Sequence, residues 1–285
     1  FAYSRQEDVI IATFGDMVRV PGSCSSLLRE QASGAQIKIV YSPLDAVALA
    51  EKNSDKTVIF LGVGFETTAP TIAGSIVAAQ QKGLCNYFVL CAHKTMPTPM
   101  AALTSDPELQ VDGYICPAHV SAVIGADAYR PLSEQFKVPC VVTGFEPLDM
   151  LRGVLMLVRQ VLQGRAEVEN EYQRIVKPEG NAKAQALLEQ VFEPCDATWR
   201  GIGEIPGSGL KIRPEFTLFD AEAQLPAEVE ASKEHKGCLC GEILKGKVTP
   251  KDCPLFRTAC TPENPVGACM VSSEGTCAAE YKYGC

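Results

Sequence analysis

The sequence predicts an α/β protein with two tandem doubly wound units of parallel sheet and a small cysteine-rich C-terminal domain. From residue 1 to residue 165, short apolar runs alternate with helical patterns in units of roughly 20 to 30 residues. Parallel strands joined by helical crossovers, with both faces of the sheet covered, give this alternation. Seven of the 13 cysteines then fall in the last 48 residues, where the composition changes.

The strands of both units are predicted from short runs rich in β-branched and aromatic residues. These runs are 9–14, 37–41, 58–63, 87–91, 113–116 and 138–142. Apolar residues at helical spacing predict helices between them, of which 73–81 and 148–162 are the plainest. We assign residues 1–84 to the first unit and residues 85–167 to the second.

The remaining chain divides into two segments of different character. Residues 168–231 are predicted to be a connector, with a helix around 182–192 and turns over 199–209. Residues 232–285 lack long apolar runs and are dense in Cys, Gly and Pro. Because such a segment cannot order itself through an apolar core, we expect a bound metal to stabilise it.

Length and charge exclude several classes of protein. The chain has 285 residues, 46% of them hydrophobic, so it can bury a full core. Its formal charge of -8, with scattered rather than clustered Lys and Arg, argues against nucleic-acid and anionic-lipid partners. The sequence contains neither an apolar run long enough to span a membrane nor an apolar leader after its polar opening. We therefore expect a cytoplasmic location.

The late cysteines predict a thiolate metal site. An odd number of cysteines without an export signal argues against a disulfide framework, and soft sulfur ligands select zinc or iron–sulfur clusters. A zinc ribbon needs two short cysteine knuckles, but Cys238 and Cys240 are too close together and the other gaps are long. Widely spaced single cysteines favour a 4Fe-4S cluster, and a structural zinc remains the alternative.

Polar residues follow four of the predicted strands, where a doubly wound sheet binds its ligands. The four loops are 64–70, 92–94, 117–121 and 144–147, and they carry Glu66, His93, His119 and Glu146. Each has a structural interpretation beside the functional one: the glutamates as helix caps, His119 as a hydrogen-bonded structural residue, and His93 as a cap on the sheet edge. A nicotinamide dinucleotide site is rejected, because Gly62-Val63-Gly64 lacks the third glycine of that fingerprint.

Several motifs together resemble one known family. The cysteine spacing is Cys240-x12-Cys253-x6-Cys260-x16-Cys277, and it follows motifs at 12–22, 64–70, 117–121 and 144–149. In this order, and over the whole chain, the pattern resembles the HypD family of NiFe-hydrogenase maturation proteins.

The resemblance implies a scaffold that holds an iron ion while cyanide and carbon monoxide are attached, giving the Fe(CN)2CO moiety. The implied partners are a small HypC-type chaperone and a HypE-type cyanide donor. The resemblance implies a 4Fe-4S electron relay with Cys240, Cys253, Cys260 and Cys277 as ligands. Cys238 and Cys269 are neighbours that could replace a ligand. His119, Glu66 and Glu274 would line the pocket of the reacting iron.

One departure from the family pattern accompanies the match. Family members carry an upstream Cys-Gly-Thr-His motif for the iron and a Gly-Pro-Gly-Cys-Pro-Val-Cys motif for a redox pair, and neither occurs in these 285 residues. We expect a sequence that lacks its first several dozen residues. A second function, a cluster-dependent disulfide reductase of the ferredoxin–thioredoxin type, would need Cys238 and Cys269 as its redox pair. A third is a zinc-stabilised interaction module.

Overall fold

The computed structural model describes residues 1–22, 24–227 and 235–284, and the strands within these ranges form two sheets. They are Val9–Thr13 (β1), Gln36–Ile39 (β2), Thr57–Gly64 (β3), Tyr87–Lys94 (β4), Tyr114–Pro117 (β5), Cys140–Thr143 (β6), Val168–Asn170 (β7), Phe192–Trp199 (β8) and Gly203–Ile212 (β9).

Helices connect the strands, and short helices recur in the C-terminal segment. They are Leu27–Ala32 (α1), Pro43–Lys52 (α2), Ala69–Gln81 (α3), Pro97–Thr104 (α4), Ala118–Ile124 (α5), Arg130–Phe136 (α6), Pro147–Leu162 (α7), Ala182–Val191 (α8), Ala221–Gln224 (α9), Cys240–Leu244 (α10), Ala268–Val271 (α11) and Thr276–Tyr283 (α12). Short 3-10 helices include Gly15–Arg19, Ala126–Tyr129, Pro214–Phe219 and Pro250–Asp252.

The larger sheet has six strands in the order β2-β1-β3-β4-β9-β8. Strands β1 to β4 are parallel, and β9 runs antiparallel to both β4 and β8. All five residues of β1 are buried, as expected for a parallel strand covered on both faces. One face packs on a core that includes Phe60, Ile72 and Phe192, and the other on a core that includes Ile11 and Ile59.

The smaller sheet consists of the parallel strands β5-β6-β7. A core with Tyr129, Leu132 and Val142 covers one face, and α7 packs against the other. The prediction of an α/β protein with parallel sheets and a cysteine-rich C-terminal segment is confirmed. Each of the six predicted strands is present, with ends shifted by at most three residues.

Local sequence signals begin several of the helices. Ser42 and Asp45 form a capping box at the start of α2, with Pro43 at its first position. Proline also opens α4 and α7, because the missing N–H costs nothing in the first turn. Because the strands are parallel, the loops after β3 and β4 lie at the carboxyl edge of the larger sheet, and the loop after β6 lies at that of the smaller sheet.

The observed strand pairing differs from the predicted division of the chain in two places. The boundary between residues 84 and 85 separates β3 from β4, yet these strands pair from Val58↔Tyr87 to Gly64↔His93. The connector predicted over 168–231 contains the expected helix α8, but it also contains the long hairpin β8–β9, which extends the larger sheet. Here the prediction of turns is corrected. These strands contain prolines and glycines, which are typical of turns, and a bulge between Cys195 and Ala197 interrupts their pairing.

The cysteine-rich segment docks on the loop between α4 and β5. The Gln110 N–H donates to the Lys245 carbonyl at 2.9 Å, and Lys245 forms an ion pair with Asp106 at 2.7 Å. Lys247 pairs with Glu108 at 2.7 Å. The first residues of the predicted domain, 232–234, lie outside the described residues. Among the helices that the structure describes, none combines the length and apolarity needed to cross a bilayer.

Candidate metal centre

Six cysteine side chains line one small cavity in the C-terminal segment. They are Cys238, Cys240, Cys253, Cys260, Cys269 and Cys277. All but Cys238 are buried, and Ile243, Leu255 and Phe256 complete the wall. The structure therefore brings the four predicted ligands together, along with both of the neighbouring cysteines. These thiols form the core of a segment that has few other buried side chains.

Short turns aim the cysteines at the cavity. Cys253 follows the 3-10 helix Pro250–Asp252, whose Thr249 and Asp252 form a capping box. The Cys260 N–H donates to the Leu255 carbonyl at 2.8 Å, which closes the loop between the two thiols. Cys240 begins α10, and Cys269 and Cys277 lie on α11 and α12. These five thiols thus come from different turns or helices of the segment.

One thiol, that of Cys269, contacts two of the others. The Cys269 thiol donates to Cys277 at 3.1 Å between sulfur atoms. A hydrogen bond with Cys269 is also the main cause that raises the pKa of Cys240, and burial adds to it. Burial raises the pKa of Cys238 and of Cys277. Cys238, Cys240 and Cys277 therefore favour the protonated thiol until a cation replaces the proton.

The donor set around the cavity is all sulfur, which an iron–sulfur cluster and a structural zinc both accept. Within the described ranges, no three His, Cys, Asp or Glu side chains are grouped as ligands of a single metal ion. The shell around the sulfur atoms is apolar, and the Val266 N–H donates to the Cys260 sulfur at 3.3 Å. A Cβ on Gly267 would lie 2.6 Å from the Cys238 sulfur, so the wall itself needs glycine.

Glu66 is buried at the carboxyl end of β3. Its Oε1 accepts a hydrogen bond from the Met96 N–H at 2.9 Å, whereas its Oε2 is buried without a partner in the described structure. Burial raises the pKa of this carboxyl group. The N-cap of α3 is Thr68, so Glu66 does not cap that helix. It joins the loop after β3 to the start of α4.

His119 is exposed in the first turn of α5. Its ring lies 5.0 Å from the ring of Phe145, between ring centres. Ser121 fixes this turn, since its hydroxyl donates to the Pro117 carbonyl at 2.8 Å and also contacts the Tyr129 hydroxyl. In the described part of the chain His119 forms no hydrogen bond, so the interpretation as a hydrogen-bonded structural residue gains no support.

Glu146 belongs to a polar network that the sequence did not reveal. It accepts from the Tyr172 hydroxyl at 2.9 Å and pairs with Arg174 at 3.2 Å. Arg174 also pairs with the carboxylate of Asp149. Tyr172 and Arg174 follow Glu146 by 26 and 28 residues, which leaves no local signal for the contact. The loop 144–147 is thus held by ion pairs.

Glu274 is exposed on the turn between α11 and α12. The next residue, Gly275, packs against the carbonyl of Cys269, which places this turn beside the cysteine-lined cavity. In the described residues no hydrogen bond or ion pair joins Glu274, Glu66 and His119. The structure therefore places these three predicted site residues on three separate loops.

The loop after β4 contains a buried histidine and an aromatic group. His93 is 2% exposed, neither ring nitrogen has a hydrogen-bond partner in the described structure, and burial lowers its pKa to about 4. The Lys94 ammonium lies 5.9 Å from the ring centre of Trp199, and Phe65 lies 6.1 Å from the same ring. The hairpin β8–β9 thus contacts both predicted loops.

Comparison with known proteins decides the family. The family model for HypD, described as the hydrogenase formation hypA family, matches residues 1–284. The chain belongs to the HypD family. The hydrogenase maturation factor HypD of Azotobacter vinelandii is 50% identical over 288 residues, which cover 99% of this chain and 76% of the relative.

Two further HypD relatives give the same result. The hydrogenase maturation factor HypD of Cupriavidus necator is 47% identical, with 98% of this chain and 76% of the relative covered. That of Rhizobium leguminosarum bv. viciae is 46% identical, with 99% and 76% covered. The HypD resemblance and the predicted role in hydrogenase maturation are confirmed. The alternative of a stand-alone disulfide reductase is not favoured.

Proposed function

We propose that this HypD-family chain is a maturation scaffold that holds a 4Fe-4S cluster in the cysteine-lined cavity. The convergence of six thiols on one buried cavity carries this proposal. A bound cluster would supply one-electron transfer during assembly of the Fe(CN)2CO moiety. The protein would supply the sulfur ligands, the apolar wall and the N–H groups that set the cluster potential.

The proposed ligands are Cys240, Cys253, Cys260 and Cys277. Thiolates that bind separate irons of one cluster do not contact each other. Because Cys269 contacts both Cys240 and Cys277, it is an alternative to these two and not a fifth ligand beside them. Cys238 lines the same cavity and remains the alternative to Cys240.

The iron that receives the diatomic ligands is the substrate. We propose that three side chains line its pocket. His119 is exposed and its ring is free to donate or accept a hydrogen bond. Glu66 has a spare carboxylate oxygen, and Glu274 lies beside the cysteine-lined cavity. The proposed partners, in a cytoplasmic setting, are a HypC-type chaperone and a HypE-type cyanide donor.

Metal analysis of the anaerobically prepared 285-residue chain tests the cluster. We expect about four iron and four acid-labile sulfide per chain, and an electron paramagnetic resonance signal after reduction. Stoichiometric zinc without iron or sulfide would discard the relay and leave a zinc-stabilised module. Chemical reconstitution with iron and sulfide, followed by the same analysis, distinguishes a lost cluster from an absent site.

Single serine variants test the ligand set. Cys253→Ser and Cys260→Ser should lose most of the iron, because a 4Fe-4S cluster needs all four thiolates. Cys85→Ser is the matched control, since Cys85 is exposed and outside the cavity. Between Cys238→Ser and Cys240→Ser, the variant that loses iron identifies the fourth ligand. Retention of full iron in both the Cys253 and the Cys260 variants would contradict the assignment.

A further inference from the structure

Helix α7 exposes a continuous apolar surface on the side that faces away from its sheet. On the inner side Gly153 packs against Thr143, and Gln160 is fully buried. The outer side carries seven large apolar residues, each between 43% and 81% exposed: Leu148, Leu151, Val154, Leu155, Val158, Val161 and Leu162. We call these seven residues the α7 stripe. Single exposed apolar residues are ordinary, but a contiguous set of this size marks a binding surface.

The spacing of the α7 stripe indicates the shape of what covers it. Five of its residues occupy positions 148, 151, 155, 158 and 162, which alternate steps of three and four. This is the a and d pattern of a heptad repeat, whose side chains pack against a second helix. An apolar stripe along one side of a helix packs against another element in a complete assembly. The stripe therefore fits a helix lying along α7.

The charges at the edge of the α7 stripe indicate the charge that a bound helix should carry. The charged residues of α7 are Asp149, Arg152 and Arg159, and Asp149 is already bound by Arg174. Both arginines occupy the e position of the heptad, and Arg152 has only a long 3.6 Å contact with Glu171. In an antiparallel pair of two copies, these arginines would face each other. A helix with acidic residues at its edges matches them instead.

We propose that the α7 stripe binds an amphipathic helix of a partner polypeptide, with apolar a and d positions and acidic residues on its flanks. One end of the stripe lies at the proposed site, because Phe145, just before α7, packs on His119. The bound helix would thus reach the loop that carries His119. The stripe shares no residue with the cysteine-lined cavity, so this proposal and the cluster can fail separately.

Two labelled three-heptad peptides test the proposal on the full chain. Both carry Leu at a and d, and they differ by Glu or Lys at e and g. Fluorescence anisotropy should show the Glu peptide binding at least about tenfold more tightly than the Lys peptide. The double variant Arg152→Glu, Arg159→Glu should reverse this preference. Equal binding of both peptides, or no binding of either, overturns the proposal.

Further variants separate specific docking from general stickiness. The double variant Leu151→Glu, Leu155→Glu should abolish binding, whereas Leu218→Glu, at an exposed leucine on the 3-10 helix Pro214–Phe219, should leave it unchanged. Circular dichroism melts confirm that each variant folds. Equal loss of peptide binding in the Leu218 variant would assign the stripe to nonspecific contact. A concentration-dependent dimer that dissociates in the double variant would assign the stripe to a second copy of the chain.

Discussion

The backbone carbonyl of Gly201 packs directly against Gly241, the residue that follows Cys240. Gly201 lies between β8 and β9, so this contact joins the larger sheet to the first turn of α10. A side chain at position 241 would collide with the carbonyl oxygen. Trp199, the only tryptophan of the chain, lies two residues from this contact and reports on it.

We expect Gly241→Ala to lower the free energy of unfolding by about 1–3 kcal/mol, because the added methyl group overpacks a backbone contact. Urea unfolding followed by Trp199 fluorescence measures the change. Gly237→Ala is the matched control in the same segment, since its methyl group would meet the nearest atom at 3.5 Å. Equal stability of the two variants would show that the contact does not hold the segment.

Cys269 and Cys277 contact each other, yet we expect their serine variants to differ. Cys277→Ser should lose most of the bound iron, because it removes a proposed ligand, while Cys269→Ser should keep it. Iron and sulfide analysis after anaerobic reconstitution measures both. If Cys269→Ser loses as much iron as Cys277→Ser, Cys269 belongs to the ligand set.

Two substitutions at Glu66 separate its structural role from a chemical one. Glu66→Ala leaves the Met96 N–H without its acceptor and should cost about 1–3 kcal/mol of stability. Glu66→Gln keeps an oxygen acceptor, so it should stay within about 1 kcal/mol of the unmodified chain. We expect the Gln variant nevertheless to fail in a hydrogenase maturation assay, because it lacks the spare carboxylate oxygen. Full maturation by that variant would leave Glu66 a structural residue.

His93 should make stability depend on pH between about 6.5 and 4. The unfolded chain protonates this side chain near its ordinary pKa of 6.5, whereas burial lowers the pKa to about 4 in the folded chain. The unfolded state therefore binds more protons in this range, and stability falls as the pH falls. From pH 7 to pH 5 the loss due to His93 should be about 2 kcal/mol.

Urea unfolding of His93→Gln at both pH values isolates this contribution, because other titrating groups are shared with the unmodified chain. The difference in stability between the two pH values should be smaller in the variant by about 2 kcal/mol. An identical pH dependence in both proteins would mean that His93 titrates normally in the folded state.

Local pattern was sufficient for the class of fold and for singling out the late cysteines that the structure brings to one cavity. The runs at 9–14, 58–63 and 87–91 predict buried strands, because they are rich in β-branched and other apolar residues and contain no proline. The crowding of cysteines into a segment without apolar runs indicated a metal centre, and their spacing indicated the family. These signals depend only on neighbours along the chain.

The order of the strands and the contacts of the site depended on the tertiary structure. Hairpin β8–β9 has the glycines and prolines of a turn, and only its pairing with β4 makes it part of the larger sheet. Glu66 meets Met96 across 30 residues, and Glu146 meets Arg174 across 28.

The sequence by itself determined the α/β class, the HypD family and the set of cysteines that could bind a metal. The tertiary structure decided which thiols touch, which carboxylates are already paired, and which face of α7 lacks a cover. Hydrophobic periodicity and motif spacing are local properties of a chain. Burial and hydrogen bonding join residues far apart in sequence, and only the packing of the whole molecule fixes them.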